Sequence, residues 1–264
     1  GNPLESQAAI KGSGRERQLI VRFMGRFDMT AVILTPTPEV RSACDRFDDA
    51  IGRSLESLGR AIATDPEWGK YESSRDAVAL FKAAIRSVEA TMALARADLV
   101  LFPGALMTAR GAFEIGLRAA WLVDCDDPFD RERRWLAHLK NEEGSNGKVA
   151  AHLQKAGGDP AAFLDTQDQM RSFREAVEAK FPPGYAVVSK VPNVPEMVRT
   201  LHDERVYILY CYLSQFIHGA RRAANYYATD GSPRRDAVKP ADCSLPLAVC
   251  WISLFRGTRK LLER

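Results

Sequence analysis

Apolar side chains recur every three or four residues along most of the chain, and the positions between them are polar. Between residues 39 and 63, for example, Val40 and Phe47 belong to such a series. At 3.6 residues per turn, this spacing gives a helix one apolar face and one solvated face. Thr37 and Pro38, just before the series, supply a capping hydroxyl and a proline suited to the first turn. The pattern therefore predicts an amphipathic helix over this range.

The same periodicity, interrupted by proline, glycine and capping residues, predicts seven more helices. Their approximate ranges are 74–98, 104–123, 128–143, 148–156, 160–180, 194–227 and 245–263. We expect a Gly-Ser-Asn-Gly turn at 144–147 between the fourth and fifth helices, and a surface loop at 228–244. Since nothing after residue 38 alternates with period two, the predicted fold is all-α, a single large bundle of about eight helices.

The chain is predicted to divide into an N-terminal arm, residues 1–37, and one all-α domain, residues 38–264. The arm is polar and is expected to be partly disordered, although its apolar runs 19–24 and 31–34 are compatible with brief strands. Because residue 1 is Gly, tag residues are one interpretation of its start. No segment reaches 18 uninterrupted apolar residues, and the arm lacks the apolar core of a signal peptide. A cytoplasmic protein without a membrane span is therefore expected.

Composition narrows the possible function only slightly. Of the 264 residues 46% are apolar and 27% charged, and the formal net charge of +3 provides no polycationic tail for nucleic acid. Arginine makes up 27 of the 37 basic residues, and its guanidinium suits bidentate recognition of phosphate or carboxylate. The alternative explanation is a GC-rich genome, whose codons favour arginine. The five cysteines form no C-x-x-C pair, so no zinc site or disulfide framework is predicted, and no cofactor.

Two predicted helices are unusual because they are apolar on almost every side. In the first, at 101–123, the charged residues are Arg110, Glu114 and Arg118, whose i, i+4, i+8 spacing places them in one stripe. A helix that is apolar on most sides is normally central in its fold. The stripe is therefore expected to face a cleft or to pair with groups on a neighbouring helix.

The second unusual helix covers residues 206–220. Tyr210, Ser214 and His218 repeat the same spacing, and Arg221 follows shortly after. A single histidine on an apolar helix is usually a core residue with its hydrogen bonds satisfied. Here it shares a face with two hydroxyl groups and lies close to an arginine, so a functional site is the alternative.

Three segments carry a resemblance to a known group of proteins. They read RGAFEIGLRAAWL at 110–122, RERRW at 131–135 and YCYLSQFIHG at 210–219. Together they resemble an uncharacterised family of bacterial all-helical proteins over about residues 100–225. The resemblance implies an all-α fold and points to six positions: Arg110, Glu114, Arg131, Arg134, Ser214 and His218.

A more remote likeness is to HEPN-like ribonucleases, all-α proteins of bacterial toxin and defence systems that carry an R-x(4–6)-H motif. The chain contains Arg133-x4-His138 and Arg131-x6-His138. In such enzymes, which use no metal, the histidine accepts the proton of an RNA 2′-hydroxyl and the arginine stabilises charge on the phosphate. The likeness implies a metal-independent endoribonuclease that acts on RNA as a homodimer. About one such match is expected by chance at this arginine content, and a solvated basic face at 131–134 is the alternative.

Other residues could support the same reaction. Neutral His218 could accept the proton while Arg110 or Arg221 holds the phosphate and Glu114 orients the histidine. The alternative is a buried polar network in which Glu114 bridges Arg110 and Arg118. The candidate catalytic residues are His218, Arg110, Glu114, His138 and Arg133.

The leading hypothesis from the sequence is a metal-independent ribonuclease or a related phosphate-directed activity in a bacterial toxin or defence setting. The alternative, from a different class of function, is a non-catalytic helical module that binds an anionic ligand, such as a nucleotide, or a protein partner. Helical bundles often build ligand sites between facing helices, and arginines beside a tyrosine-rich wall would suit such a ligand. The candidate ligand-binding residues are Arg118, Arg131, Arg134, Ser214, Tyr210 and Arg221.

Overall fold

The computed structural model describes residues 37–65, 68–97, 102–185, 190–202, 204–219 and 244–263. Eight α-helices contain most of these residues, and no strand occurs among them, which confirms the predicted all-α class. The helices are α1 (Pro38–Thr64), α2 (Glu72–Ala97), α3 (Phe102–Val123), α4 (Pro128–Lys155), α5 (Ala161–Glu178), α6 (Val194–Thr200), α7 (Tyr207–Ile217) and α8 (Ser244–Leu262). The predicted arm strands and the predicted loop at 228–244 lie outside the described residues.

Capping residues next to prolines fix where several helices begin. Thr37 Oγ1 accepts a hydrogen bond from Val40 N at 3.4 Å at the start of α1, and Pro38 occupies the first turn. Asp127 Oδ1 accepts from Phe129 N at 2.8 Å at the start of α4. Each cap satisfies an N–H group that has no partner within the helix. These starts agree with the sequence prediction.

The predicted turn at 144–147 is wrong, because α4 runs through it without a break. Gly147 lies against α5, where an added Cβ would come within 2.8 Å of Gln167 Nε2. Asn146 Nδ2 also contacts Met170 Sδ of α5 at 3.4 Å. A glycine inside a helix costs only about 1 kcal/mol relative to alanine. The sequence Gly-Ser-Asn-Gly therefore permits close helix packing here and forms no turn.

The predicted single helix at 194–227 is also wrong, since the chain forms two helices with a break between them. After α6, His202 has φ of +53°, a left-handed conformation that is uncommon for a residue with a side chain. A short 3₁₀ turn, Glu204–Val206, then leads into α7. The α7 helix ends at Ile217, before Gly219, whose φ is +61°. The break after α6 separates it from α7, and both helices pack against α3.

The α3 helix is the centre of the fold, as its apolar composition predicts. It packs against α2, α8, α7, α6 and α4, and side chains such as Leu106 and Leu122 are fully buried. Small residues let α8 approach closely, since a Cβ on Gly116 would lie 3.4 Å from the Ser253 carbonyl oxygen. One turn further along α8 from Ser253, Gly257 faces the buried ring of Phe81. Helices α1, α2, α3 and α8 thus form the four-helix core.

The second half of α4 and all of α5 form a hairpin at the edge of this core. The α5 helix has no fully buried residue and packs chiefly against α4. Buried Glu143 of α4 accepts hydrogen bonds from Arg171 Nε at 2.9 Å and Arg174 Nε at 3.2 Å. None of the described helices is long and apolar enough to cross a membrane.

Candidate functional site

A polar cluster lies where α3 meets α7. Arg110 Nη2 forms an ion pair with Glu114 Oε1 at 2.7 Å, and Arg110 Nε donates to the same oxygen at 2.9 Å. Arg110 Nη2 also donates to the Tyr210 hydroxyl of α7 at 3.2 Å. The i, i+4 spacing on α3 makes the ion pair possible, and Tyr210 is brought to it by the packing of α7 on α3. The structure thus joins three of the residues predicted from the sequence.

Aromatic rings surround the guanidinium of this cluster. The Arg110 Cζ atom lies 4.9 Å from the centre of the Tyr210 ring, within cation–π range. Tyr207, one turn earlier on α7, stacks on Tyr210 with centroids 5.8 Å apart. Phe113 approaches Tyr210 from α3 at 6.2 Å. The cation is therefore held against an aromatic wall, and Tyr207 and Tyr210 are only half-buried.

The cluster leaves one buried donor without an acceptor. Arg110 is 8% exposed, and its Nη1 atom is shielded from solvent and has no hydrogen-bond partner among the described residues. An unsatisfied buried donor costs about 1–3 kcal/mol, and more when the group is charged. The Glu114 side chain, by contrast, is 37% exposed, so the cluster opens toward solvent on that side.

Arg118 does not share this cluster, although it continues the stripe. Four residues of helix turn through about 400°, so the stripe rotates by about 40° at each step and Arg118 lies about 80° from Arg110. Arg118 instead contributes its positive charge near His138 of α4. The predicted network in which Glu114 bridges both arginines does not form among the described contacts, where Glu114 pairs with Arg110 alone.

His138, the histidine of the R-x(4–6)-H motif, is a core residue at the junction of α2, α3 and α4. It is 5% exposed, and its Nε2 lies 3.8 Å from Glu142 Oε1. Burial lowers the pKa of His138 and Arg118 adds to this effect, while Glu142 and Asp76 oppose it. The imidazole is therefore held neutral at pH 7. Sequence reasoning missed Asp76, since one acidic residue in an amphipathic helix carries no signal.

The arginines at 131–134 have partners away from His138. Arg131 Nη1 donates to the carbonyl oxygens of Cys125 at 2.8 Å and Asp126 at 3.0 Å. Arg134 donates to the Trp121 carbonyl oxygen and lies over the Trp121 ring. These contacts fix the turn between α3 and α4. Since Arg131 is buried and Arg134 half-buried, they do not form the solvated basic face considered above.

Arg133 likewise has a local partner, the carboxylate of Asp130 one turn earlier. Neither R-x(4–6)-H pair is thus brought into contact: among the described residues, the charged groups near His138 are Glu142, Arg118 and Asp76.

Ser214 and His218 lie further along α7 and do not reach the cluster. The Ser214 hydroxyl donates to the Tyr210 carbonyl oxygen at 2.7 Å, a bond within its own helix. His218 is exposed and follows the last residue of α7, with its backbone N–H donating to Ser214 O. Within the described part of the chain, no hydrogen bond or ion pair joins its side chain to Arg110 or Glu114. Arg221 lies outside the described residues.

Sequence reasoning also missed a cleft at the far end of α3. Its volume is about 430 Å³. It is lined by Val123, Asp124, Cys125, Asp126, Arg131, Lys260 and Glu263. Of these, only Arg131 was predicted to bind a ligand. The acidic run Asp124-Cys125-Asp126-Asp127 before the start of α4 could have indicated a polar site. The α8 side of the cleft could not be predicted, because it is brought there by tertiary packing.

Within the described residues, no group of three or more His, Cys, Asp or Glu side chains is arranged to hold a metal ion. Comparison of the chain with protein-family models, with curated proteins and with solved structures finds no match.

Proposed function

We propose that the protein is a non-catalytic helical module that binds an anionic ligand, such as a nucleotide, beside Arg110. The observation that supports this function concerns Arg110, a residue that is only 8% exposed: its Nη1 atom has no hydrogen-bond partner in the described part of the chain. In a network built only for folding, most buried donors have partners. A phosphate oxygen would supply the missing acceptor through a charge-assisted hydrogen bond.

The surroundings of Arg110 favour a nucleotide over a simple anion. The stacked rings of Tyr207 and Tyr210 present a flat surface beside the guanidinium on which a base could stack. Glu114 uses Oε1 for Arg110, and Oε2 has no hydrogen bond to any described residue, so it can accept one from a ribose hydroxyl. Because Glu114 neutralises Arg110, net charge alone would attract an anion weakly, and the aromatic surface supplies further binding energy.

Calorimetric titration of the full chain with mono-, di- and triphosphates of adenosine and guanosine, and with inorganic phosphate, tests this function. Wild type is expected to bind at least one nucleotide more tightly than phosphate. Arg110→Lys keeps the charge but loses the fork of donors, so binding should weaken by about 10- to 100-fold. Arg86→Ala is the matched control, because that side chain is 79% exposed and, among the described residues, pairs only with Glu89.

Thermal unfolding of Arg110→Met separates ligand binding from a role in folding. A buried ion pair replaced by an apolar side chain of similar size can leave stability unchanged or increase it. If Arg110→Met melts higher than wild type and wild type binds no nucleotide, the cluster is a folding network and the proposed function is wrong.

A metal-independent ribonuclease is the second candidate, and one observation favours it. His138 is neutral and has the positive charge of Arg118 nearby, so a proton acceptor and a phosphate-stabilising cation are neighbours. His138 is only 5% exposed, while Arg118 is half-buried, so a 2′-hydroxyl would reach His138 only after local opening between α3 and α4. For this reason the binding module ranks first.

The nuclease candidate is tested with total RNA and purified protein in the presence of a chelator, and by RNA integrity after expression in bacteria. A nuclease at this site should cleave RNA as wild type and as His218→Ala, and should lose cleavage as His138→Gln or Arg118→Ala. Intact RNA with wild type would exclude the nuclease.

The predicted homodimer is part of the ribonuclease hypothesis, and light scattering measures whether the protein is dimeric. A cytoplasmic location fits both candidates, since the four described cysteines are free thiols.

A further inference from the structure

The cleft at the end of α3 has the size of a small-molecule site and lies away from Arg110. It is formed by the turn at 124–127 and the last turn of α8, and its volume of about 430 Å³ falls in the range of roughly 300–1,000 Å³ that is usual for ligand pockets. At 1.5 Å per residue, Arg110 and Val123 are about 20 Å apart along α3. The cleft is therefore separate from the site of the proposed function.

Arg131 supplies a fixed and incompletely used cation to this cleft. The residue is 8% exposed, and the two carbonyl oxygens that accept from Nη1 hold the guanidinium in place. Its Nε is buried and has no partner in the described part of the chain. The Tyr71 ring, 6.0 Å from Arg131 Cζ, closes another side of the group. An arginine immobilised in this way retains its full charge and spare donors.

The other charges that line the cleft can be sorted by whether they already have a partner. Lys260 pairs with the carboxylate of Asp124, and Glu263 pairs with Arg259 at 2.5 Å. Asp126 is exposed and has no ion pair with any described residue. Among the described residues that line the cleft, Arg131 and Asp126 are therefore the charged side chains that form no ion pair, and the Asp127 carboxylate also lies near Arg131.

These two charges belong to neighbouring groups. Arg131 Nη1 lies 3.0 Å from the main-chain oxygen of Asp126, so the guanidinium and the Asp126 residue are adjacent at the cleft. A ligand that satisfies both must carry an anion and a cation only a few ångströms apart. An α-amino acid has this arrangement in its carboxylate and ammonium groups, and its side chain could occupy the rest of the cleft.

We propose that this cleft binds a small zwitterion of the α-amino acid class, with the ligand's carboxylate on Arg131 and its ammonium group on Asp126. Lys260 and Asp124, held together as an ion pair, form the adjoining wall. Val123 and Cys125 provide the less polar part of the lining, against which an aliphatic side chain could pack.

The test is a thermal-shift screen of the full chain against the twenty L-amino acids, followed by calorimetric titration of any amino acid that stabilises it. At least one amino acid is expected to raise the melting temperature. Its N-acetyl derivative and the corresponding amine without a carboxylate should not, because each lacks one of the two charges. Asp126→Asn should weaken binding by about 10- to 100-fold with little change in unliganded stability, since Asp126 is exposed.

Controls separate this inference from the proposed function and from loss of folding. Asp49→Asn removes an exposed carboxylate on α1 and should bind as wild type does, as should Arg110→Lys. For Arg131→Lys, binding is interpreted together with the melting temperature of the variant, because the substitution also removes the contacts to the two carbonyl oxygens. The inference is overturned if no amino acid stabilises wild type, if Asp126→Asn binds the same amino acid with unchanged affinity, or if acetate or inorganic phosphate binds as tightly.

Discussion

At the scale of single residues, the arginines that the sequence groups together have different partners. Arg110 faces α7 and Arg118 faces His138, although four-residue steps place them in one stripe. Arg131 and Arg134 donate to main-chain oxygens at the α3–α4 turn. Spacing on a helix therefore indicates that residues are on the same side, but the neighbouring helices decide which of them meet.

Burial of His138 makes a pH prediction possible at the same scale. Its pKa is lowered from 6.5, chiefly by burial, so the unfolded chain takes up a proton at a higher pH than the folded chain does. Stability is then fully present above about pH 6.5 and falls as the pH drops below that value. The melting temperature of wild type should decrease between pH 7 and pH 5 more than that of His138→Gln.

His152→Gln is the matched control, because His152 is on the same helix and is exposed. It should follow the wild-type pH dependence. If His138→Gln shows the same decrease as wild type, the buried imidazole does not contribute to acid sensitivity. In that case, groups other than His138 cause the decrease between pH 7 and pH 5.

At the scale of elements, the sequence predicted the fold class and most helix starts, because both depend on local signals. Apolar periodicity gave α1, α2, α3 and α8, and caps such as Asp127 marked helix starts. The sequence prediction failed where the role of a glycine, or a break between two helices, depends on contacts with residues distant in the sequence. Gly147 is a packing position against α5, and the break at His202 allows α6 and α7 to cover different parts of α3.

The continuity of α4 can be tested with two glycine substitutions. Gly144 is inside the helix with open space around its Cβ position, so Gly144→Ala should stabilise the protein by about 0.5–1 kcal/mol. Gly157, just beyond the end of α4, has φ of +76°, so Gly157→Ala should destabilise it by about 1–2 kcal/mol. Urea unfolding measures both. If Gly144→Ala destabilises the protein as Gly157→Ala does, the segment 144–147 is a turn after all.

At the scale of the whole molecule, the α4–α5 hairpin and the four-helix core should differ in stability. The core is built around α3, whose buried side chains contact most other helices. The α5 helix buries no residue fully and is held largely through Glu143 and the two arginines that it binds. Elements with few buried apolar contacts open at lower free energy than the core does. The hairpin is therefore expected to open while the core stays folded.

Hydrogen exchange of Glu143→Gln tests this separation. Burial raises the pKa of Glu143, but its hydrogen bonds from Arg171 and Arg174 outweigh that effect and the net shift is downward. The carboxylate therefore stabilises the hairpin above pH 4.5, and the stabilisation is lost as the pH falls through the lowered pKa. At pH 7, Glu143→Gln should speed exchange across 161–178 and leave that of α2 and α3 unchanged. Asp165→Asn, a substitution at an exposed position of α5, should not change the exchange rate of either region. Equal acceleration in α3 and α5 would mean that the hairpin and the core open as one cooperative unit.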